Sequence, residues 1–329
     1  MATSASVIVP SHNRPDAILS TVTHLLRSAL SAGAEVVVVD DGSMPPIVLP
    51  QNDRLRLVRT PGVERSRSRN QGACSAVGEL LIFVDDDITV STDFIEQHAR
   101  AALEFRNAIG VGKISLPSES TASPFGRFRR TIEEPSQSRA RGLVAEKNFC
   151  TAANMSMSKR EFLNLGGFDP AISSGEDQDL ALRFSERGGQ IAFLPEAEVI
   201  HRDSIAGIFA YARRHEWGAA AMAPFLRRYP DRPENLVRAR LAVSPAGAAF
   251  PVETVRILVR LLLSRRLPLA LFRGLTRGLE QAGSSDAILF PLYRTLLGLH
   301  LFRGFREGLA RVRVPPSLPT PIVIARSAN

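Results

Sequence analysis

An apolar run, Leu80-Leu81-Ile82-Phe83-Val84, ends in three consecutive carboxylates, Asp85, Asp86 and Asp87. No other feature constrains the fold as strongly. Such a run, rich in β-branched and aromatic residues, reads as a buried strand. A buried strand that ends in three acids delivers negative charge to one edge of a sheet. Charges left unpaired there are costly, so a cation or a set of hydrogen-bond donors must meet them. Oxygen-only ligands favour a hard divalent ion, Mg²⁺ or Mn²⁺, which shares its shell with substrate phosphates. The competing reading is that the acids cap the following helix.

The surrounding pattern decides between them. The sequence predicts strands at Ser6–Pro10, Glu35–Val39, Arg54–Arg59, Glu79–Val84 and Ile109–Leu116, with helices at Pro15–Ala32, Glu64–Val77 and Asp93–Arg106. That rhythm implies an α/β fold with a doubly wound, mostly parallel sheet. Ligands on such sheets bind outside the carboxyl ends of the strands. Polar clusters follow three of the strands: Ser11-His12-Asn13-Arg14, Asp40-Asp41-Gly42-Ser43 and the three acids. Three coincidences on one edge favour a binding site over capping.

Further along, Pro117–Lys147 shows no steady period and reads as a long, mobile loop, the kind that forms lids or binding elements. Order returns with a strand-like Asn148–Ser158, a helix Lys159–Leu165, a helix opened by Gly175-Glu176-Asp177, and a strand Gln190–Leu194. Beyond Pro224 the prolines Pro230, Pro233, Pro245 and Pro251 punctuate a junction. Helical spacing resumes over Val252–Leu263, Leu267–Gln281 and Ala287–Val312, with Arg interleaved among Leu and Phe. The chain thus divides into a domain over residues 1–230 and an Arg-rich helical extension over 231–329. Two readings of the extension stand: helices packed on the first domain, or basic amphipathic helices on an anionic membrane surface.

The formal charge of +8 is unevenly placed: residues 232–329 hold 15 Arg and 5 acids, so the first 231 carry a slight negative excess. Nothing here suggests a nucleic-acid binder. Two cysteines, Cys74 and Cys150, make no disulfide framework or thiolate metal site. No stretch reaches the about 18 apolar residues needed to span a bilayer. Val7-Ile8-Val9 leads straight into Pro10 and reads as a first strand, not a signal peptide. The expectation is a cytoplasmic protein, with peripheral attachment at the inner face of the membrane as the variant.

Five segments resemble the ordered signatures of the family 2 glycosyltransferases with the GT-A fold. They are Val7-Ile8-Val9-Pro10-Ser11-His12-Asn13-Arg14, Val37-Val38-Val39-Asp40-Asp41-Gly42-Ser43, Arg69-Asn70-Gln71-Gly72, Phe83-Val84-Asp85-Asp86-Asp87 and Gly175-Glu176-Asp177. Each motif alone is weak; five in order, each at a strand end or helix start, are specific. The resemblance covers Ser6 to His201. It implies a metal-dependent, inverting transfer of one sugar from a nucleoside-diphosphate-sugar donor to an acceptor hydroxyl on a carbohydrate, a lipid-linked molecule or a small molecule.

The resemblance also implies roles. Asp85 and Asp87 fit the outer positions of the family's DxD motif, Asp87 as direct metal ligand and Asp85 nearer the ribose or the metal's water shell. Asp86 between them is the least assignable, placed with the nucleotide. Asp40, with Asp41 beside it, would accept a hydrogen bond from the base, in a pocket shaped by Pro10 and Asn13. Arg69 would hold the nucleotide, unless it is a solvated helix charge. Asp177 matches the catalytic base, with Glu176 and Asp179 as competitors. Asn154, after Ala152-Ala153, resembles the segment lining the donor sugar or acceptor. His201 follows a strand, as does a histidine that completes the metal shell in some relatives; a structural role is the alternative. Trp217, in Arg213-Arg214-His215-Glu216-Trp217, would stack on a sugar or be part of an ordinary helix surface.

The sequence lacks the Gln-x-x-Arg-Trp motif and membrane spans of processive members, which favours single-sugar transfer. A sugar-1-phosphate nucleotidyltransferase would need a Gly-rich N-terminal loop and an early catalytic Lys, yet the first Lys is Lys113. A non-enzymatic scaffold descended from the family would be expected to lose Asp85, Asp87 or Asp177, which are all present.

Overall fold

The computed structural model describes residues 4–146, 149–232, 235 and 252–323. Strand β1 (Ala5–Ser11) leads through α1 (Pro15–Ala32) to β2 (Glu35–Asp41), β3 (Leu55–Thr60), α2 (Arg65–Ser75) and β4 (Leu80–Val84). A short β5 (Ile88–Val90), α3 (Phe94–Glu104) and β6 (Ala108–Ser115) follow. Every residue of β4 is buried because alternate side chains serve opposite faces of the sheet. Leu80, Ile82 and Val84 join Val7, Val36 and the α1 and α3 residues Val22 and Phe94. Leu81 and Phe83 join Ile8, Val37 and Phe168 on the other face.

The remaining strands are β7 (Gly142–Val144), β8 (Asn154–Ser158) and β9 (Gln190–His201). The sheet order is β3-β2-β1-β4-β8-β6-β9-β5, with β7 also on β9. Among the described residues six of nine strands point one way, while β5, β7 and β8 run against them. The expected α/β, doubly wound, mostly parallel sheet is therefore present. Its parallel half, β3-β2-β1-β4, places Ser11, Asp41 and Asp85 at one edge. The twelve-residue β9 runs on past Leu194 and through Pro195, and its pairing of His201 with Ile88 brings the histidine to that edge.

The segment from Pro117, read above as a loop, is ordered. It forms a 3-10 helix (Ser118–Ala122), α4 (Pro124–Gln137) and β7. Ser123 caps α4 by accepting from the Gly126 N–H at 3.0 Å, and Pro124 occupies the first turn. Pairs Arg129–Glu133 and Arg130–Glu134 support the helix at four-residue spacing. Its buried apolar side chains are only Phe125 and Phe128, with Ile132 next on the same spacing but exposed, a stripe too short to stand out among so many charges. Lys147 at the segment's end lies outside the described residues, as does the start of the strand-like stretch at Asn148, whose strand begins only at Asn154.

After α5 (Lys159–Asn164) and α6 (Glu176–Glu186), β9 passes to α7 (Ile208–Ala221) and α8 (Ala223–Arg228). The junction prolines Pro233, Pro245 and Pro251 lie outside the described residues. The three expected C-terminal helices are α9 (Val252–Leu263), α10 (Arg266–Gln281) and α11 (Asp286–Arg311). Helix α11 lies along α7 and α4: Phe128 stacks edge-on against Tyr293 with ring centroids 5.2 Å apart. Glycine is needed where α11 meets α7, since a Cβ at Gly304 would collide with the Glu216 carbonyl.

Candidate active site

At the carboxyl end of β4 the chain turns so that Asp85 and Asp87 face His201. One ligand atom from each of the three lies within 4.8 Å of the others, and among the described residues no other such group of three occurs. His201 Nε2 stands 2.9 Å from Asp87 Oδ1 and 3.9 Å from Asp85 Oδ2. Despite that closeness, Asp87 Oδ1 is buried with no properly directed hydrogen bond. Burial alone would raise the Asp87 pKa, but His201 and Arg14 outweigh it and hold the carboxylate well below its usual range. The same carboxylates raise the His201 pKa against the effect of burial. Two carboxylates, an imidazole and an orphaned buried oxygen are a donor set that fits a divalent cation.

Asp86 points elsewhere. Ser11 Oγ donates to its Oδ2 at 2.7 Å, and Arg14 donates to its Oδ1 at 2.6 Å. Arg14 also reaches Asp87 Oδ2 at 2.7 Å, so one guanidinium ties two of the three acids together. The middle carboxylate, expected near the nucleotide, lines the cleft and at the same time anchors Arg14. Asp40 also has its oxygens taken: they accept the N–H groups of Ser43 and Ile47, each at 3.0 Å, and shape the turn after β2. Its neighbour Asp41, not Asp40, lines the cleft with Pro10, and accepts from Thr60 Oγ1 and the Val63 and Glu64 N–H groups. Asn13, at positive φ, accepts from the Met44 N–H at 2.8 Å and links the β1 and β2 turns.

Arg69 is no solvated charge: it is 2% exposed and donates to Asp85 Oδ1 at 2.8 Å and Glu176 Oε1 at 3.0 Å. It therefore joins the β4 acids to the start of α6. There, after Gly175 in the left-handed region, Asp177 faces a cavity of about 550 Å³ that Asp85 and His201 also line. Burial and then the adjacent Glu176 carboxylate push the Asp177 pKa up to about 7. Its oxygens accept from the Gln178 N–H at 2.8 Å and the Ala152 N–H at 3.3 Å. A second lobe of about 580 Å³ shares Asp85, His201, Arg65 and Arg214 with the first, so the two form one cleft. Trp217 stands at its rim, 60% exposed.

Asn154 is a correction. It is fully buried at the start of β8, donates to the carbonyls of Lys113 and Ala197 at 2.9 and 2.7 Å, and its Oδ1 sits 3.0 Å from His98 Nε2. Every polar atom of its amide is used by the neighbouring strands and His98 of α3, so it lines neither donor nor acceptor space. Asn154→Ala is expected to lower stability by about 2–4 kcal/mol by stranding those partners, read by denaturant unfolding, with the folded fraction keeping its ligand affinity.

One support of the site lies outside every sequence motif. Arg129 of α4 forks onto both oxygens of Asp203, at 2.7 and 2.8 Å, and Asp203 Oδ2 lies 3.7 Å from His201 Nδ1. A carboxylate behind a histidine orients the ring and fixes its tautomer. The only signal was Asp203's place two residues after His201.

Residues 6–166 match a family model described as Glycosyl transferase family 2. A pre-mycofactocin glycosyltransferase of Mycobacterium tuberculosis is 25% identical over 240 residues, covering 70% of this chain and 49% of that protein. An uncharacterized glycosyltransferase of Haemophilus influenzae is 29% identical over 183 residues, 54% of this chain and 60% of its own length. The chain thus spans about half to three fifths of the length of these curated relatives. In fold it is similar to a mannosyltransferase from Pyrobaculum calidifontis solved in complex with GDP-Man and Mn²⁺. The TM-score is 0.56 at 16% identity, over 92% of this chain and 86% of that one.

Proposed function

The chain belongs to glycosyl transferase family 2 through residues 6–166, and we propose that it transfers one sugar from a nucleoside-diphosphate-sugar donor to an acceptor hydroxyl, with inversion and with a divalent metal. One observation carries this reading. The Asp85–Asp87–His201 cluster and the carboxylate of Asp177 line one continuous cleft. A metal-diphosphate clamp and a base near neutral pKa are the two parts such a displacement needs.

Asp87, Asp85 and His201 would hold Mn²⁺ or Mg²⁺, the imidazole leaning the choice to Mn²⁺. When bound there, the ion supplies positive charge to the departing diphosphate. The chain's own groups do the rest. Arg65 and Arg214 on the cleft wall neutralise phosphate oxygens. Asp41 and Pro10 border the nucleotide base, and Asp40 keeps the turn beneath it in shape. Arg69 holds Asp85 and Glu176 in register and acts on the nucleotide through them. Trp217 offers a ring face at the rim for a sugar. Asp177 Oδ takes the acceptor proton as the hydroxyl oxygen attacks the anomeric carbon. The wall that α4 contributes, with Ile132 and Gln137, is the acceptor side, so acceptor choice falls to the helix that replaced the expected loop. Residues 1–230 form the transferring domain in this reading, and 231–329 the extension.

The pH dependence follows from the base. An aspartate at the ordinary 3.8 would leave turnover flat through neutrality, whereas Asp177 at about 7 is half protonated there. Turnover under saturating donor is expected to rise with pH through about 7 and level off above it. A profile flat from pH 5 to pH 9 would remove Asp177 from the role. The reading as a whole is tested by thermal shift against a panel of nucleoside diphosphates with and without Mn²⁺. Stabilisation by one nucleotide only with metal present is the expected result; no stabilisation by any would overturn it.

A further inference from the structure

Helices α9 and α10 present apolar stripes that the other described residues leave uncovered. On α9, Val252, Val255, Leu258, Val259 and Leu262 are exposed by 47–60%, while Ile257 turns inward. On α10, Leu269 and Thr276 face inward, and Leu267, Leu271 and Leu275, spaced four apart, are 56–70% exposed on another side. Single exposed apolar residues need no explanation, but a helix with leucines on two faces has one face more than packing requires.

The charge around these stripes is of one sign. Residues 252–281 hold Arg256, Arg260, Arg265, Arg266, Arg273 and Arg277 against only Glu253 and Glu280. Glu280 is engaged by Tyr293 Oη at 2.7 Å. Arg273 and Arg277 lie over the Phe209 ring at 5.5 and 5.1 Å, and the other four make no ion pair among the described residues.

We propose that α9 and α10 form a docking surface for an anionic lipid bilayer, lying in its headgroup layer with the Val and Leu stripes toward the acyl chains and the arginines on lipid phosphates. Amphipathic basic helices bind such surfaces by buried apolar area and charge together. No described helix is long and apolar enough to cross a membrane, so the helices lie on the surface. Charge selects lipid over a second copy of this chain: a symmetric contact would set the same unpaired arginines against themselves. The inference uses no residue of the cleft, so it stands or falls apart from the transfer reading.

The test is co-sedimentation of the full chain with phosphatidylglycerol–phosphatidylcholine vesicles and with phosphatidylcholine alone, beside Leu271→Glu/Leu275→Glu and Arg256→Gln/Arg260→Gln. Both pairs sit on exposed or half-exposed positions, and an unchanged melting temperature checks folding. The expected result is binding to the anionic vesicles that falls about tenfold or more in each double variant and at high salt. Wild type left in the supernatant, or the leucine variant binding as wild type does, overturns the proposal. So does light scattering that shows a dimer which the leucine variant splits without any vesicle binding.

Discussion

Asp177→Asn is expected to lower turnover by about 10²–10⁴-fold while leaving metal-dependent nucleotide binding at its wild-type affinity. The amide keeps the shape of the carboxylate, and its single oxygen can still accept from the Gln178 N–H, while its NH2 replaces the oxygen that accepted the longer contact from the Ala152 N–H. It cannot take a proton. The stability consequence has the opposite sign to most core substitutions. Burial and Glu176 raise the folded-state pKa of Asp177 from 3.8 to about 7. The ionised form is thus disfavoured in the folded protein, and folding stability falls as pH rises from about 4 toward 7. The neutral variant escapes that cost, so at pH 8 it should melt at the same temperature as wild type or above it. Loss of turnover in a variant that is at least as stable separates a chemical role from a folding one. Near-wild-type turnover would assign the proton to another group, with Glu176 the nearest carboxylate; Glu176 is already engaged by Arg69.

Asp87→Ala is expected to remove the gain that Mn²⁺ gives to nucleoside diphosphate binding and to lower turnover by about 10³-fold. Metal charge on a leaving diphosphate contributes several kcal/mol, and each 1.36 kcal/mol is about tenfold in rate. The substitution also deprives Arg14 and His201 of a partner each. A modest loss of stability therefore accompanies it, and His201→Ala is the control. His201→Ala keeps the Arg14 pair with Asp86 and Asp87, so it should weaken metal binding without loosening the β1 turn. Equal metal dependence in Asp87→Ala and wild type, measured by calorimetry, would remove the cluster from the account.

What could be read from the sequence and what could not follow one physical division. Strand β4 and its acids were legible because burial and the charge that ends it are local: five apolar residues fix the strand, and the strand's end fixes the edge. The same holds for β1, β2 and the first part of β9, whose continuation through Pro195 to His201 comes from pairing with β5 and β6. Asp40 and Asp41 show the limit. Neighbours in sequence at a strand end, they divide into a turn-shaper and a cleft-lining residue, and the register with Thr60 and Val63 decides which is which. Arg69, expected on the nucleotide or else as a solvated helix charge, is the buried link between β4 and α6, a contact across more than a hundred residues. Asn154 was misplaced for the same reason: small neighbours suggested open space, while His98 and two carbonyls from distant strands claim its amide. Helix α4 carried no readable period because its two phenylalanines find their partners on distant helices, Phe125 on Tyr211 of α7 and Phe128 on Phe290 and Tyr293 of α11. Local sequence specifies elements and edges; pairing across the sheet assigns the individual side chains.

The most direct test of the central claim is release of nucleoside diphosphate from a panel of nucleoside-diphosphate sugars, followed before and after chelation and after Mn²⁺ is returned. If the Asp85–Asp87–His201 cluster and Asp177 act as one site, release from at least one donor stops on chelation and resumes with metal. Wild-type release that continues at full rate in excess chelator would contradict it.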